Sequence, residues 1–275
     1  MIYDLHTHTS ISDGKLAPSE LVARAKQKQV QVLSITDHDS VDAYTKLNLS
    51  DHQAIEIIPG IEFSTYWKKI GVHIVGLNID LESNTLNAVI QQQSDIRKDR
   101  AKQIVSKLNH KHGLDIEFEE LKQSTNTDNL GRPHIAEYLI AHKHAKNFQH
   151  AFDKFLSTKK LGDIKYQWLT LDTVVETITA SGGVAIIAHP LKYKLTYTKL
   201  LELINDFKAY GGQAIEVISG RQDPNHTKQL LKIAQQTELY ASCGSDFHQP
   251  DIPWTELGQF GQLPKDSQPV WELFD

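Results

Sequence analysis

The chain has 275 residues, of which 40% are hydrophobic and 23% are charged, as expected for a globular protein with a sizeable core. Its formal net charge of −5 argues against tight binding of long nucleic acid, so an anion site must be local or based on metal ions. The single cysteine, Cys243, excludes a disulfide framework and a thiolate metal cluster.

Residues 1–30 lack the basic and apolar regions of a secretory signal. The sequence also contains no apolar run of about 18 residues, the length that a membrane-spanning helix requires. We therefore expect a cytoplasmic protein without a membrane partner, and nothing in the sequence indicates an obligate protein partner. The compositional feature that needs an explanation is the presence of 14 histidines.

Residues 2–6 form an apolar, β-branched opening that predicts a buried strand. Side chains alternate between the two faces of a strand, so Asp4, His6 and His8 should point the same way. Asp13 follows on a short loop, close enough to bind a neighbouring cation. Two imidazoles and a carboxylate in this arrangement favour Zn, Mn or Fe.

The next part of the chain alternates between strands and helices. Three of the predicted strands end beside or carry a polar residue, namely His38, Glu62 and His73. The predicted strands cover residues 30–36, 55–59 and 72–77, and the predicted helices cover residues 18–29 and 41–49.

From residue 84 the pattern becomes helical and rich in Lys, Gln and Asp, and we expect a helical insertion over residues 95–167. Arg97 and Arg100 share a helix face at i, i+3 spacing. Arg132 and His134 lie at a helix start, where free N–H groups favour phosphate, and arginine suits phosphate oxygens. These four residues are candidate substrate contacts, although a helical arginine pair is equally typical of a solvated face.

After residue 167 the alternation resumes and predicts a parallel sheet, either open or closed into a barrel. Here His189 follows one predicted strand, and Asp246 and His248 follow the last one. The predicted strands are 184–188, 214–218 and 239–242, and the predicted helices are 171–180, 197–210 and 224–236.

Candidate metal ligands therefore occur at or near the ends of most predicted strands. The strand ends of parallel α/β folds meet at one face, so residues from separate segments can converge there. Nitrogen and oxygen ligands without Cys favour cations with open coordination positions, which suit phosphoester hydrolysis. The candidates are His6, His8, Asp13, His38, Glu62, His73, His189, Asp246 and His248.

These residues resemble the polymerase and histidinol phosphatase (PHP) family of metal-dependent phosphoesterases. The resemblance extends from Asp4 to His248, and no ligand position departs from the family pattern. It implies an α/β fold, a distorted (β/α)7 barrel of residues 1–94 and 168–275 with a helical substrate-binding subdomain inserted at 95–167. The matching motifs are DLHTH with SDG (residues 4–8 and 12–14), TDHD (36–39), PGIE (59–62), VHIVG (72–76), AHP (188–190) and GSDFH (244–248).

The resemblance also implies two or three divalent cations, with Mn preferred and Zn or Fe as alternatives. A metal-bridging hydroxide would attack phosphorus, and His6, His8, Glu62 and Asp246 would act in catalysis through the bound metals. The implied ligand sets are His6, His8, Glu62 and Asp246 for one cation, Asp13, His38 and His248 for a second, and Glu62, His73 and His189 for a third.

Within the family, the chain is similar to the branch of nucleoside 3',5'-bisphosphate phosphatases and 5'-to-3' exoribonucleases. That similarity predicts a small nucleotide or short RNA as substrate, contacted by the insertion. One alternative is a phosphatase of a metabolite such as histidinol phosphate, and another is a non-catalytic, metal-stabilised accessory module. Asp4 and Asp37 adjoin candidate ligands and fit either an orienting or a purely structural role.

Overall fold

The computed structural model describes residues 1–47, 55–125, 127–157, 160–162, 164 and 168–274. Within these residues, seven strands form one sheet in the order in which they occur in the chain. They are β1 (Tyr3–Asp4), β2 (Val32–Ile35), β3 (Glu56–Trp67), β4 (Ile70–Leu77), β5 (Val184–Ile187), β6 (Ala214–Ser219) and β7 (Tyr240–Gly244).

The sheet curves until its first and last strands meet. The backbone N–H of Leu5 donates to the Cys243 carbonyl at 3.1 Å, and the N–H of His8 donates to the Phe247 carbonyl at 2.9 Å. The N–H of Asp246 donates in turn to the carbonyl of His6 at 2.9 Å. These bonds nearly close the barrel, as predicted, and they hold two candidate ligand segments side by side.

The prediction of a parallel sheet was wrong for one strand. Strands β1, β2 and β3 pair in parallel, as do β5, β6 and β7, but β4 runs antiparallel to both of its neighbours. Only Lys68 and Lys69, both with positive φ, separate β3 from β4. Such a connection makes a hairpin, because a parallel crossover needs about a dozen residues or more.

Helices cover the outside of the barrel. One large buried cluster joins the outer strand faces to α7 (Leu171–Ala180), α8 (Tyr197–Ala209) and α9 (Pro224–Gln236). A smaller cluster packs α1 (Pro18–Gln27) against β2. A third cluster contains Leu5, which directly follows β1, together with Val75 of β4 and Ile186 of β5. A short helix, α2 (Asp42–Thr45), is the remaining α-helix of the barrel among the residues that the structure describes. The predicted end of the second helix, at Leu49, lies outside the described residues.

The region between β4 and α7 is helical and has its own apolar core. That core runs from Ile104 to Ile164 and includes buried Leu108, Leu139 and Phe155. Its helices are α3 (Asn84–His112), α4 (Phe118–Gln123), α5 (Arg132–Ala141) and α6 (Phe148–Ala151), the last continuing as a π-helical turn, Phe152–Leu156. Among the described helices, none combines the length and apolar character needed to cross a membrane.

Candidate metal centre

The nine predicted ligands lie together at one end of the barrel. Their nitrogen and oxygen atoms form four overlapping groups, and within each group the atoms lie within 4.8 Å of one another. The groups are His8, Asp13, His38 and His248; His6, Glu62 and His189; His6, His8 and Asp246; and His38, Glu62 and His73.

His6 and His8 present their rings to the same point. Their Nε2 atoms are 3.1 Å apart, and both lie 3.3–3.4 Å from Glu62 Oε2. Asp246 Oδ1 is 3.6 Å from the first and 3.4 Å from the second. The two Nε2 atoms and Asp246 Oδ1 form a group that could hold one cation, and Glu62 Oε2 lies beside both histidines.

Glu62 is the centre of the cluster. The side chain is completely buried, and Oε1 lies 2.9 Å from both His73 Nδ1 and His189 Nε2. Oε2 lies 2.8 Å from His38 Nδ1, so the two oxygens face different histidines. Burial raises the pKa of Glu62, but the neighbouring histidines outweigh burial and hold that pKa well below its usual range. An ionised carboxylate in this position can bridge two cations.

Asp13, His38 and His248 form the outer part of the cluster. Asp13 Oδ1 is 3.3 Å from His248 Nε2, and Oδ2 is 3.8 Å from His38 Nε2. The backbone supports this arrangement, because the Asp39 N–H donates to the Glu62 carbonyl at 2.9 Å. The loop that carries His38 is therefore tied to β3.

The buried polar atoms of the cluster fit a cation better than they fit one another. Within the described part of the chain, Asp13 Oδ1, His38 Nδ1, Glu62 Oε2 and His189 Nδ1 are buried without a hydrogen bond. Burial, followed by the charge of His248, lowers the pKa of His8 to about 3, which favours the neutral ring that binds metals. A neutral His8 ring facing ionised carboxylates suits the donor set of a divalent cation.

Sequence reasoning missed Glu216, which orients the innermost histidine. Glu216 Oε1 lies 2.5 Å from His6 Nδ1, and Oε2 accepts the backbone N–H of His189 at 2.6 Å. A carboxylate on Nδ1 keeps the proton there and leaves Nε2 free to bind a metal. The available signal was a single acidic residue among the apolar residues 214–218, and Glu216 is only 1% exposed.

Asp4 and Asp37, for which the sequence allowed either an orienting or a structural role, hold different segments of the chain. Asp4 accepts the backbone N–H groups of Ser245, at 2.8 Å, and Gly258, at 3.0 Å, so it joins β1 to the segments after β7. Asp37 accepts from the Thr9 N–H at 2.8 Å and from the Ser12 hydroxyl at 2.5 Å. Asp37 therefore fixes the loop on which His8 and Asp13 are carried.

Two of the four predicted substrate contacts, Arg97 and Arg100, are buried within the protein. Arg97 is 6% exposed and donates from Nε to Asp39 Oδ2 at 3.0 Å, and Nη2 donates to the Ser64 hydroxyl at 3.0 Å. Arg100 donates to the Gly162 carbonyl at 3.4 Å. Both guanidinium groups lie over the Trp168 ring, at 5.0 and 5.2 Å from its centroid.

The other two predicted substrate contacts, Arg132 and His134, lie at the start of α5. Arg132 donates to the Leu156 carbonyl at 3.3 Å and lies 6.0 Å from the Phe152 ring centroid. His134 Nδ1 accepts the Gly131 N–H at 2.9 Å, which caps the helix. A phosphate-binding role for all four residues stays a prediction, and each has a defined contact within the protein.

Comparison with known proteins gives a consistent result. The model of the PHP domain matches residues 4–219. The 5'-3' exoribonuclease of Haemophilus influenzae is 39% identical over 99% of this chain and 98% of its own length. The 3',5'-nucleoside bisphosphate phosphatase of Chromobacterium violaceum is 34% identical over 98% of this chain and 94% of its own length.

A solved structure agrees with the sequence comparisons. An amidohydrolase from Chromobacterium violaceum, determined with bound sulfate and no metal, matches with a TM-score of 0.90 and 34% identity. The match covers 99% of this chain and 96% of that one. The barrel, its ligand cluster and these similarities lead to one conclusion: the chain belongs to the PHP domain family.

Proposed function

We propose that this protein is a metal-dependent phosphoesterase that hydrolyses phosphate esters of nucleotides. The proposed activities are removal of the 3'-phosphate from 3',5'-nucleoside bisphosphates and 5'-to-3' exonucleolytic cleavage of short 5'-phosphorylated RNA. The observation that carries the proposal is the buried carboxylate of Glu62, which faces histidines on both oxygens. The names of the two curated relatives support the choice of substrate.

The proposed cofactors are two or three divalent cations per chain, with Mn²⁺ as the first choice and Zn or Fe as alternatives. Bound cations neutralise phosphate charge and activate water for attack on phosphorus. The proposed ligand sets are His6, His8, Glu62 and Asp246; Asp13, His38 and His248; and Glu62, His73 and His189.

Glu216 and Asp37 determine how the proposed ligands are oriented. Glu216 holds the proton of His6 on Nδ1, so Nε2 faces the cluster. Asp37 holds the loop of His8 and Asp13 through Thr9 and Ser12. The ligands are thus held in place before substrate binds, which avoids reorganisation during the reaction.

We further propose that residues 95–167 form a substrate-binding subdomain on the barrel of residues 1–94 and 168–275. The separate apolar core of this region supports a distinct unit. Its links to the cluster support a role at the site, because Asn129 Nδ2 donates to the His38 carbonyl and Arg97 pairs with Asp39. Arg97, Arg100, Arg132 and His134 remain the proposed contacts of a second phosphate. We also propose that the protein acts in the cytoplasm.

The decisive experiment compares four substrates with and without Mn²⁺: adenosine 3',5'-bisphosphate, a short 5'-phosphorylated RNA, histidinol phosphate and p-nitrophenyl phosphate. We expect release of the 3'-phosphate and of mononucleotides from the RNA 5' end, abolished by EDTA and by Glu62→Gln. Glu176→Gln, the same change at an exposed position on α7, is the matched control.

Two results would overturn the proposal. Turnover of histidinol phosphate alone keeps the metal chemistry but replaces the nucleotide substrate. Absence of turnover with every substrate, including the chromogenic ester, identifies a metal-stabilised accessory module instead of an enzyme.

A further inference from the structure

A cavity of about 230 Å³ opens beside the metal centre. It lies between the 3₁₀ turn Pro190–Tyr193 and the loop that joins β6 to α9. Two of its lining residues belong to the cluster: His189 contacts Glu62, and Lys192 contacts Asp246. A molecule held by the cluster would therefore have this cavity as its immediate neighbour.

We propose that the cavity binds the nucleobase of the nucleotide whose phosphate lies at the metal centre. The inference rests on the proposed function, and it adds the part of the site that recognises the rest of the substrate. Lys192 lies between the cavity and Asp246, so its positive charge faces the sugar-phosphate side of such a ligand.

The size and walls of the cavity match a single heterocyclic ring system. Pockets for drug-sized ligands span roughly 300–1,000 Å³, so a cavity of this volume suits a smaller group. Pro190, Leu191 and Leu230 supply apolar walls. His226, exposed in the first turn of α9, supplies an imidazole on which a base can stack.

Few polar groups in the cavity are available to hydrogen-bond a base. Among the described residues the Ser219 hydroxyl is buried without a hydrogen-bond partner. Gln222 is already engaged, since its amide accepts the Ser219 N–H and donates to the Val217 carbonyl. One hydroxyl can donate or accept, so it satisfies a polar edge of any base but cannot specify one. We therefore expect tolerance of all four bases.

Equilibrium binding to the Mn²⁺-loaded protein tests the cavity without relying on turnover. The two probes are AMP and ribose 5-phosphate, which share the phosphate and the sugar but differ in the base. Stacking of one base on an aromatic side chain predicts that AMP binds about tenfold or more tightly than ribose 5-phosphate. We expect His226→Ala and Leu191→Ala each to weaken AMP binding several-fold and to leave ribose 5-phosphate unchanged.

The matched control is Gln229→Ala, an exposed change on α9 outside the cavity. Equal affinity of the wild type for the two probes overturns the proposal, as does an equal loss for both probes in His226→Ala. Base-dependent AMP binding without turnover of any nucleotide substrate supports the cavity and overturns only the proposed reaction. The two failures are therefore distinguishable.

Discussion

Replacing Glu216 with Gln tests how the cluster is held, because it changes a charge and one atom type without changing shape. Glu216 accepts on both oxygens, from His6 Nδ1 at 2.5 Å and from the His189 backbone N–H at 2.6 Å. Gln offers one acceptor and one donor, so it cannot accept from both groups. Either His6 must change its tautomer, or the His189 N–H must lose its acceptor.

Each arrangement of the Gln amide has a definite consequence. If the NH₂ group faces His6, the ring must accept on Nδ1, and its proton then moves to the Nε2 that faces Glu62. If the NH₂ group faces His189, a buried backbone N–H is left without an acceptor, which costs about 1–3 kcal/mol. Loss of a carboxylate behind a ligating histidine typically weakens metal affinity by about 10- to 100-fold, or about 1.4–2.7 kcal/mol.

The assay is direct titration of the metal-free protein with Mn²⁺, followed by steady-state turnover at saturating metal. We expect the Mn²⁺ dissociation constant of Glu216→Gln to rise about 10- to 100-fold. Turnover should recover substantially at high Mn²⁺, whereas Glu62→Gln should stay inactive. Glu176→Gln on the exposed face of α7 controls for the chemical change itself. An unchanged Mn²⁺ dissociation constant would refute the orienting role of Glu216.

Three further predictions concern stability. Arg97→Ala should lower the free energy of unfolding by about 3 kcal/mol in urea titrations, because it leaves Asp39 as an unpaired buried charge; a loss within error would show that the pair is not structural. Mn²⁺ at 100 times its dissociation constant should raise that free energy by about 2.7 kcal/mol, and an unchanged Tm with and without EDTA would contradict the metal site. Burial raises the pKa of Glu256, but hydrogen bonds from Arg24 and Lys28 outweigh burial and lower it overall. The stability that Glu256 contributes is therefore present above its ordinary pKa of 4.5 and lost as the pH falls through the lowered value, and Glu256→Gln should remove that acid-side loss in unfolding curves.

Sequence patterns predicted which candidate ligands lie close together, because simple geometry governs where their side chains lie. The predicted alternation of side chains placed His6 and His8 on one face. Both residues follow the short strand β1, and their Nε2 atoms are 3.1 Å apart. His38, His189 and Asp246 became candidate ligands because each follows a predicted strand. Each of these inferences needed only local spacing and the rule that the ends of parallel strands share one face.

Partners that are distant in the sequence could not be found in this way. Arg97 and Arg100 do lie near each other, but nothing in their spacing identifies Asp39, 58 residues before Arg97, as a partner. Glu216 resembles any isolated acid in a strand until His6 is placed beside it. Long-range pairs depend on how the sheet closes, and strand periodicity carries no information about closure.

The antiparallel hairpin of β3 and β4 explains why Glu62 lies at the centre of the cluster instead of at a strand end. Glu62 pairs with Val75 across the hairpin and Ser64 with His73, so Glu62 and His73 are diagonal neighbours on one face.

The outer half of this hairpin is in turn tied to the end of the helical region. Thr65 Oγ1 donates to the Leu169 carbonyl at 2.7 Å, and the neighbouring Trp168 lies over Arg97 and Arg100. The carboxylate that faces the histidines and the proposed substrate-binding helices are thus held by one continuous set of contacts. The position of α3 is therefore linked, through Trp168 and Leu169, to β3, the strand that carries Glu62.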